Sequence, residues 1–146
     1  MSEAAALSLT DIAVEAAIAA AEVICAIYER PIHVVTKNDG SPVTEADAAA
    51  EAIIIEHLKI TGLPVLGEES VAAGIIPQLG DRYFVVDPLD GTKEFIKRNG
   101  EFTVNIALVE QGRPVMGVVL APASGDIFVG DADGAWAGRV AAGVVV

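Results

Sequence analysis

The chain has 146 residues, of which 53% are hydrophobic and only 21% charged, and this balance excludes an intrinsically disordered protein. With a net charge of −12 and only 9 basic residues, it lacks the basic surface that nucleic-acid binding needs, and binding to anionic lipids is disfavoured. Glu15 and Glu22 interrupt the apolar stretch Ile12–Tyr28, which excludes a membrane-spanning helix there. We expect one cytoplasmic domain with an aliphatic core, since aromatic residues make up 5% of the chain.

Two helices are predicted in the first part of the chain. The first begins at the capping-box pattern Ser8–Asp11 and runs to about Glu29. The second begins at a similar pattern, Thr44–Asp47, and runs to about Lys59, and Gly62 ends it.

The remaining chain is mostly predicted as strands. The strand candidates are His33–Thr36, Pro64–Leu66, Arg82–Val86, Phe102–Glu110, Pro114–Ala121 and Asp126–Val129. Turns are predicted at Asn38–Pro42 and Gln111–Arg113, and a short helix at Thr92 to about Arg98. This order predicts an α+β fold in which two N-terminal helices pack on a mainly antiparallel sheet.

The segment from Val85 to Thr92 is the most informative in the chain. A buried strand brings Asp87 to its exposed end, and Asp90 follows closely enough for both carboxylates to converge. Gly91 permits a close backbone approach, and Thr92 is a candidate cap for the next helix, whose first N–H groups favour an anion. Two carboxylates beside an anion site require a cation between them, and oxygen ligands favour Mg²⁺.

A second acidic pair, Glu68-Glu69, follows the strand candidate Pro64–Leu66. If that strand lies in the same sheet as Arg82–Val86, Glu68 reaches the same cation, and the site suits metal-assisted phosphoryl chemistry.

Simpler interpretations stand beside these. The Asp-Pro-x-Asp-Gly run also fits a plain turn, Glu68-Glu69 a solvated pair, and Asp47 a helix cap. Asp131–Gly134 lacks the further ligands of a calcium loop, so a hairpin turn is favoured. Packing or surface roles are expected for three residues that lack partners at ligand spacing: Cys25, His33 and His57.

Taken together, three segments resemble the inositol monophosphatase superfamily of Mg²⁺-dependent, lithium-sensitive phosphatases: Ser41–Asp47, Gly67–Ser70 and Val86–Thr92. Asp90–Ile96 followed by Asn99–Ala107 is similar to its 3′(2′),5′-bisphosphate nucleotidase branch, which acts in sulfur metabolism. The resemblance covers nearly the whole chain.

The resemblance implies a role for each site residue. It makes Glu68, Asp87 and the carbonyl of Leu89 ligands of one Mg²⁺, and Asp87 and Asp90 ligands of a second, with two or three ions in all. It implies that Asp47 and Thr92 orient the attacking water. The substrate would be bound by Glu68, Leu89, Asp90, Gly91 and Thr92.

The implied reaction is hydrolysis of adenosine 3′,5′-bisphosphate to AMP and phosphate. Two alternatives remain open: an inositol-1-phosphate phosphatase and a non-catalytic Mg²⁺-binding fragment that self-associates. The family continues into a second α/β half with a Trp-Asp-x-x-Ala segment, whereas Trp136 is followed by Ala137 here. We therefore expect residues 1–146 to be a single N-terminal metal-binding phosphatase domain without that half. Apolar residues left uncovered predict a homo-oligomer.

Overall fold

Four α-helices and nine strands make up the described part of the chain, residues 8–29, 34–36 and 42–146 of the computed structural model. The helices are α1 (Leu9–Tyr28), α2 (Glu45–Leu58), α3 (Glu68–Ala72) and α4 (Thr92–Lys97). The strands are β1 (Val34–Thr36), β2 (Pro42–Thr44), β3 (Val65–Gly67), β4 (Arg82–Asp90), β5 (Thr103–Glu110), β6 (Arg113–Leu120), β7 (Asp126–Asp131), β8 (Gly134–Ala141) and β9 (Val144–Val145). The predicted α+β fold is confirmed.

The two long helices begin and end as their sequence predicts. The Ser8 hydroxyl caps α1 by accepting the Asp11 N–H at 3.0 Å. A 3₁₀ turn, Lys59–Thr61, follows α2, and Gly62 ends it in the left-handed conformation at φ 72°. The buried side of α1 is rich in alanine, which lets α2 pack closely against it.

The main sheet has the strand order β3-β4-β5-β6-β7-β8-β9, and β1 pairs separately with β2. Every neighbouring pair from β4 to β9 is antiparallel, whereas β3 and β4 run parallel. The predicted turn between β5 and β6 is confirmed: Gln111 and Gly112 both have positive φ, as a two-residue hairpin loop requires.

One face of the sheet forms the core with α1 and α2. Alternate residues of β4 to β7 point into it, Val86, Ile106, Val118 and Ile127 among them. The aliphatic core is confirmed for this region, although three phenylalanines are also fully buried. Two of them, Phe95 and Phe102, form an aromatic cluster with Tyr28 at centroid distances of 5.0 to 5.2 Å.

The opposite side of the sheet, which we call the open face, is apolar and exposed. It presents Val85, Val115, Val119 and Phe128, and the Phe128 side chain is 54% exposed. The register aligns Gly117, Gly130 and Ala135 across β6, β7 and β8 on this face. These small residues line a shallow depression of about 570 Å³ beside Val119 and Phe128.

Several local predictions need correction. β4 does not end at Asp87 but continues to Asp90, with an irregular register between the two. The glycine-rich stretch 130–138, for which no strand is predicted, contains most of strand β8, because its backbone pairs with β7. His33 and residues 38–41 of the predicted turn lie outside the described residues.

No helix among the described residues is long and apolar enough to cross a membrane.

Candidate active site

Parallel pairing of β3 with β4 brings the first two acidic residues together. Gly67 lies opposite Val86 in the register, so the next residue of each strand, Glu68 and Asp87, emerges at the same edge of the sheet. The sequence predicted this meeting on the condition that both strands share one sheet, and that condition is confirmed.

Asp87 lies in an environment that opposes its ionisation. Partial burial, a hydrogen bond with Glu68 and the charges of Glu68 and Asp90 together raise its pKa to about 7. The Leu89 N–H, 3.3 Å from Asp87 Oδ1, partly opposes the increase. Glu68, Asp87 and Asp90 therefore lie close enough to interact strongly, and a cation would relieve their repulsion.

The chain between Asp87 and α4 is shaped by Pro88 and Gly91. Pro88 has no N–H for the ladder with β5, and the register shifts between Asp87 and Asp90. Gly91 has φ 92°, and a Cβ there would lie 2.9 Å from the Glu101 carbonyl oxygen. Only glycine suits this position, because it allows the backbone at Gly91 to lie close to the backbone of Glu101.

Thr92 does not cap α4 as predicted. The residue at the cap position is Gly91, and Thr92 is the first residue of the helix. Its hydroxyl instead donates to Asp47 Oδ1 at 3.0 Å and lies 3.3 Å from the Leu89 carbonyl oxygen. Asp47 is 1% exposed and Thr92 is half-buried, so the two residues expected to orient water form one partly buried pair.

Glu51 belongs to this region and was not predicted. Its carboxylate is 4% exposed and accepts the N–H groups of Glu69 and Ser70 at 2.7 and 2.8 Å, together with the Ser70 hydroxyl. A sequence signal existed, since position 51 lies on the buried side of α2 between Ala50 and Ile54. An acidic residue on such a face needs polar partners.

The carboxylates of Glu68, Asp87 and Asp90 suit a hard cation, although they are not arranged around one point. Within the described ranges, no three His, Cys, Asp or Glu side chains already stand in an arrangement that could hold a metal ion. Glu68 and Asp87 are joined by a hydrogen bond, so a cation would first have to displace the proton between them. Carboxylates held near one another, with the pKa of Asp87 raised, fit Mg²⁺ by their chemistry.

The other candidates lie away from this site. Asp131 and Gly134 pair across the predicted β7–β8 hairpin, where Asp131 Oδ1 accepts the Asp133 N–H at 2.9 Å. His57 is exposed on α2, and its Nδ1 lies 3.0 Å from the Ile53 carbonyl oxygen. Cys25 packs beside Pro122, and burial, aided by Glu29, raises the pKa of its thiol. The predicted packing and surface roles are confirmed for Cys25 and His57.

One protein-family profile matches most of the chain. The profile described as the inositol monophosphatase family matches residues 6–139. The chain belongs to the inositol monophosphatase family. The resemblance that the three sequence segments carry is thereby confirmed.

Curated relatives place the chain near one branch of the inositol monophosphatase family. The 3′(2′),5′-bisphosphate nucleotidase CysQ of Salmonella typhimurium is 55% identical over 107 residues, which cover 70% of this chain and 44% of that protein. CysQ of Escherichia coli K12 is 48% identical over 121 residues, covering 80% and 49%. The chain thus spans about half the length of the curated relatives it matches.

Solved structures of the inositol monophosphatase family share the fold. CysQ from Bacteroides thetaiotaomicron superposes with a TM-score of 0.73 at 43% identity, covering 91% of this chain and 49% of that one. An IMPase from Thermotoga maritima gives a TM-score of 0.77 at 26% identity, covering 87% and 50%.

Proposed function

We propose that this protein takes part in Mg²⁺-dependent hydrolysis of a phosphomonoester, with adenosine 3′,5′-bisphosphate as substrate and AMP and phosphate as products. The observation that carries the proposal is the meeting of two pairs: Glu68 with Asp87, and Asp47 with Thr92. The first pair suits a cation and the second a reacting water. The substrate rests on the similarity to proteins named 3′(2′),5′-bisphosphate nucleotidase CysQ.

Four residues would hold the metal. Glu68, Asp87 and the Leu89 carbonyl would bind one Mg²⁺, Asp87 with Asp90 would bind a second, and the site would hold two or three ions in all. Bound Mg²⁺ supplies positive charge for the phosphate oxygens and makes a bound water more acidic.

Asp47 and Thr92 would orient the water. Because the Thr92 hydroxyl donates its proton toward Asp47, its lone pairs are free to accept a hydrogen bond from a water molecule. The burial of Asp47 keeps this orientation fixed. As the water oxygen bonds to phosphorus and the bond to O3′ breaks, Thr92 would accept the proton of the water while passing its own proton to Asp47, and O3′ would take up a proton from solvent.

The start of α4 would bind the phosphate. The first N–H groups of a helix have no acceptor within it, so the backbone at Gly91 and Thr92 can meet phosphate oxygens while Asp90 and Glu68 reach them through the metal. We further propose that residues 1–146 act as one metal-binding phosphatase domain.

We also propose that the chain forms a homo-oligomer through the open face. A monomer would leave Val85, Val115, Val119 and Phe128 in contact with water, and burying such a patch favours association.

The experiment that tests the function is phosphate release from purified protein with and without Mg²⁺. Adenosine 3′,5′-bisphosphate and inositol 1-phosphate are compared at equal concentration, and Asp87→Asn is the inactive control. We expect Mg²⁺-dependent release with preference for the nucleotide. Preference for inositol 1-phosphate would favour the second enzyme activity, and Mg²⁺ binding without release would favour a non-catalytic fragment.

A further inference from the structure

Helix α2 carries two buried carboxylates one turn apart, and they reach different loops of the site. Asp47 accepts the Thr92 hydroxyl from the β4–α4 junction, as described above. Glu51 accepts N–H groups from the β3–α3 junction. Residues four apart lie on the same side of a helix, so α2 connects the start of α4, which follows Asp87, with the start of α3, which contains Glu68.

The Glu51 carboxylate takes the place of a capping side chain for α3. That helix begins at Glu68, and Gly67 at the cap position has no side chain to offer. Glu51 Oε1 accepts from Glu69 N at 2.7 Å, and Oε2 accepts from Ser70 N at 2.8 Å and from the Ser70 hydroxyl. The backbone immediately after Glu68 is therefore held by a side chain that comes from α2.

Gly67 shows independently how close this contact is. A Cβ at Gly67 would lie 2.5 Å from Glu51 Cδ and 2.7 Å from each carboxylate oxygen. Its φ of −101° is available to any residue, so the close approach, and not the backbone conformation, requires glycine. Glu51 is thus packed directly against the residue that precedes Glu68.

A neutral amide cannot replace this carboxylate. Glutamine has one acceptor oxygen and an NH₂ group, so one of the donors from Glu69 or Ser70 would face another donor. A buried donor without an acceptor is costly, and the junction would shift to satisfy it.

We infer that Glu51 is a positioning residue for the cation site: it fixes the β3–α3 junction so that Glu68 faces Asp87. Glu51 itself does not contact the metal in this assignment. The inference rests on the proposed function only in taking Glu68 and Asp87 as the metal ligands.

The test is a calorimetric Mg²⁺ titration of the 146-residue protein at a temperature where each variant is folded. We expect Glu51→Gln to raise the Mg²⁺ dissociation constant by roughly 10- to 100-fold, the usual effect of losing a partner that orients a ligand. Gly67→Ala keeps the carboxylate but displaces it, and it should weaken binding in the same direction. Glu56→Gln, an exposed change on the same helix, should leave the affinity as it was.

Ser70→Ala and Glu51→Gln both test the role of the Glu51 carboxylate. If Glu51→Gln fails to fold, Ser70→Ala removes a single donor from the same carboxylate, and a smaller but measurable loss of Mg²⁺ affinity is expected. If folded Glu51→Gln binds Mg²⁺ within about twofold of the parent, well below the loss expected for an orienting partner, the inference is wrong.

Asp87→Asn separates this failure from failure of the proposed function. If Asp87→Asn loses Mg²⁺ while Glu51→Gln does not, the site assignment stands and the role of Glu51 is refuted. If the parent binds no Mg²⁺, or if Asp87→Asn binds it normally, the site assignment itself is refuted.

Discussion

The Thr92 hydroxyl donates to Asp47 Oδ1 at 3.0 Å, although 45 residues separate the two in the chain. This bond connects the second helix to the first residue of α4. Asp47 thereby has a partner beyond its own helix, on another element of the site. A residue that acts only as a helix cap has its partner in the first turn of its own helix.

The rate of phosphate release by Thr92→Val should tell a water-orienting role of the Thr92–Asp47 pair from a purely structural one. The change keeps the shape but removes the hydroxyl, so we expect phosphate release to fall by about 10²- to 10⁴-fold, the range for loss of a proton-transfer group. Thr92→Ser is the matched control and should keep most of the rate. A Thr92→Val protein with parental turnover would exclude the water-orienting role.

Asp47→Ala tests the other partner. As a cap alone, Asp47 would contribute on the order of 0.5–2 kcal/mol to the free energy of unfolding. As the acceptor for Thr92, it should affect turnover far more than stability. A lower melting temperature with an unchanged rate would show that Asp47 acts only as a cap.

Asp87→Asn should abolish the cation site while the fold persists. The amide can still hydrogen-bond to Glu68, but it removes a charge that the folded protein holds at a raised pKa. We expect Mg²⁺ affinity to fall by more than the ~10–100-fold caused by losing an outer partner, and metal-free stability to increase near neutral pH. Titration calorimetry and thermal unfolding measure the two effects. Asp133→Asn, in an exposed turn, is the control and should change neither.

The pKa of Asp87 also predicts a pH dependence. An ordinary aspartate has a pKa of 3.8, whereas that of Asp87 is about 7 in the folded, metal-free protein. Between these values the folded state keeps a proton that the unfolded state has lost, so metal-free stability should decrease as pH rises through this window. Mg²⁺ displaces that proton, so its affinity should increase over the same window. Unfolding and Mg²⁺ titrations from pH 4 to 8 test this, and Asp87→Asn should flatten both curves.

Gly91→Ala should destabilise the loop. The backbone has φ 92°, and the new Cβ would lie 2.9 Å from the Glu101 carbonyl oxygen. We expect a loss on the order of 1–3 kcal/mol in the free energy of unfolding. Gly80→Ala is the matched control, because a Cβ there has no neighbour within 4 Å. Equal stability of the two variants in denaturant unfolding would contradict the expectation.

Phe128→Lys should oppose association through the open face. Phe128 is 54% exposed, and a lysine there would place a charge in the centre of the apolar patch. Light scattering over a concentration series should show a dimer for the parent and a monomer for the variant. Ile60→Lys, at an exposed position outside this face, should remain associated. A monomeric parent at high concentration would refute the homo-oligomer.

The helices and most strands were predictable because local signals define them. Ser8 and Gly62 mark helix ends through side-chain capping and a left-handed backbone, and Gln111-Gly112 marks a hairpin through two positive φ values. β8 was missed because a strand of small residues has no alternating hydrophobic pattern, and its pairing with β7 decides its structure.

The site was only partly predictable. The meeting of Glu68 with Asp87 follows from the chain order once two strands are placed side by side. The bond from Thr92 to Asp47 depends on how α2 packs on the sheet, which no local pattern contains. Glu51 was missed for the same reason, since its partners lie 18 and 19 residues away on another element.

The parallel pairing of β3 with β4 also has a consequence for the order of folding. From β5 onward each strand pairs with the next one along the chain, and these hairpins need only short loops to close. The β3–β4 pair requires the chain from 68 to 81 to return first, and the docking of α2 spans a greater separation still. We therefore expect the hairpins to form early and the carboxylates of Glu68 and Asp87 to meet last. In stopped-flow experiments, Mg²⁺ should then slow unfolding strongly and leave the early phase of refolding unchanged.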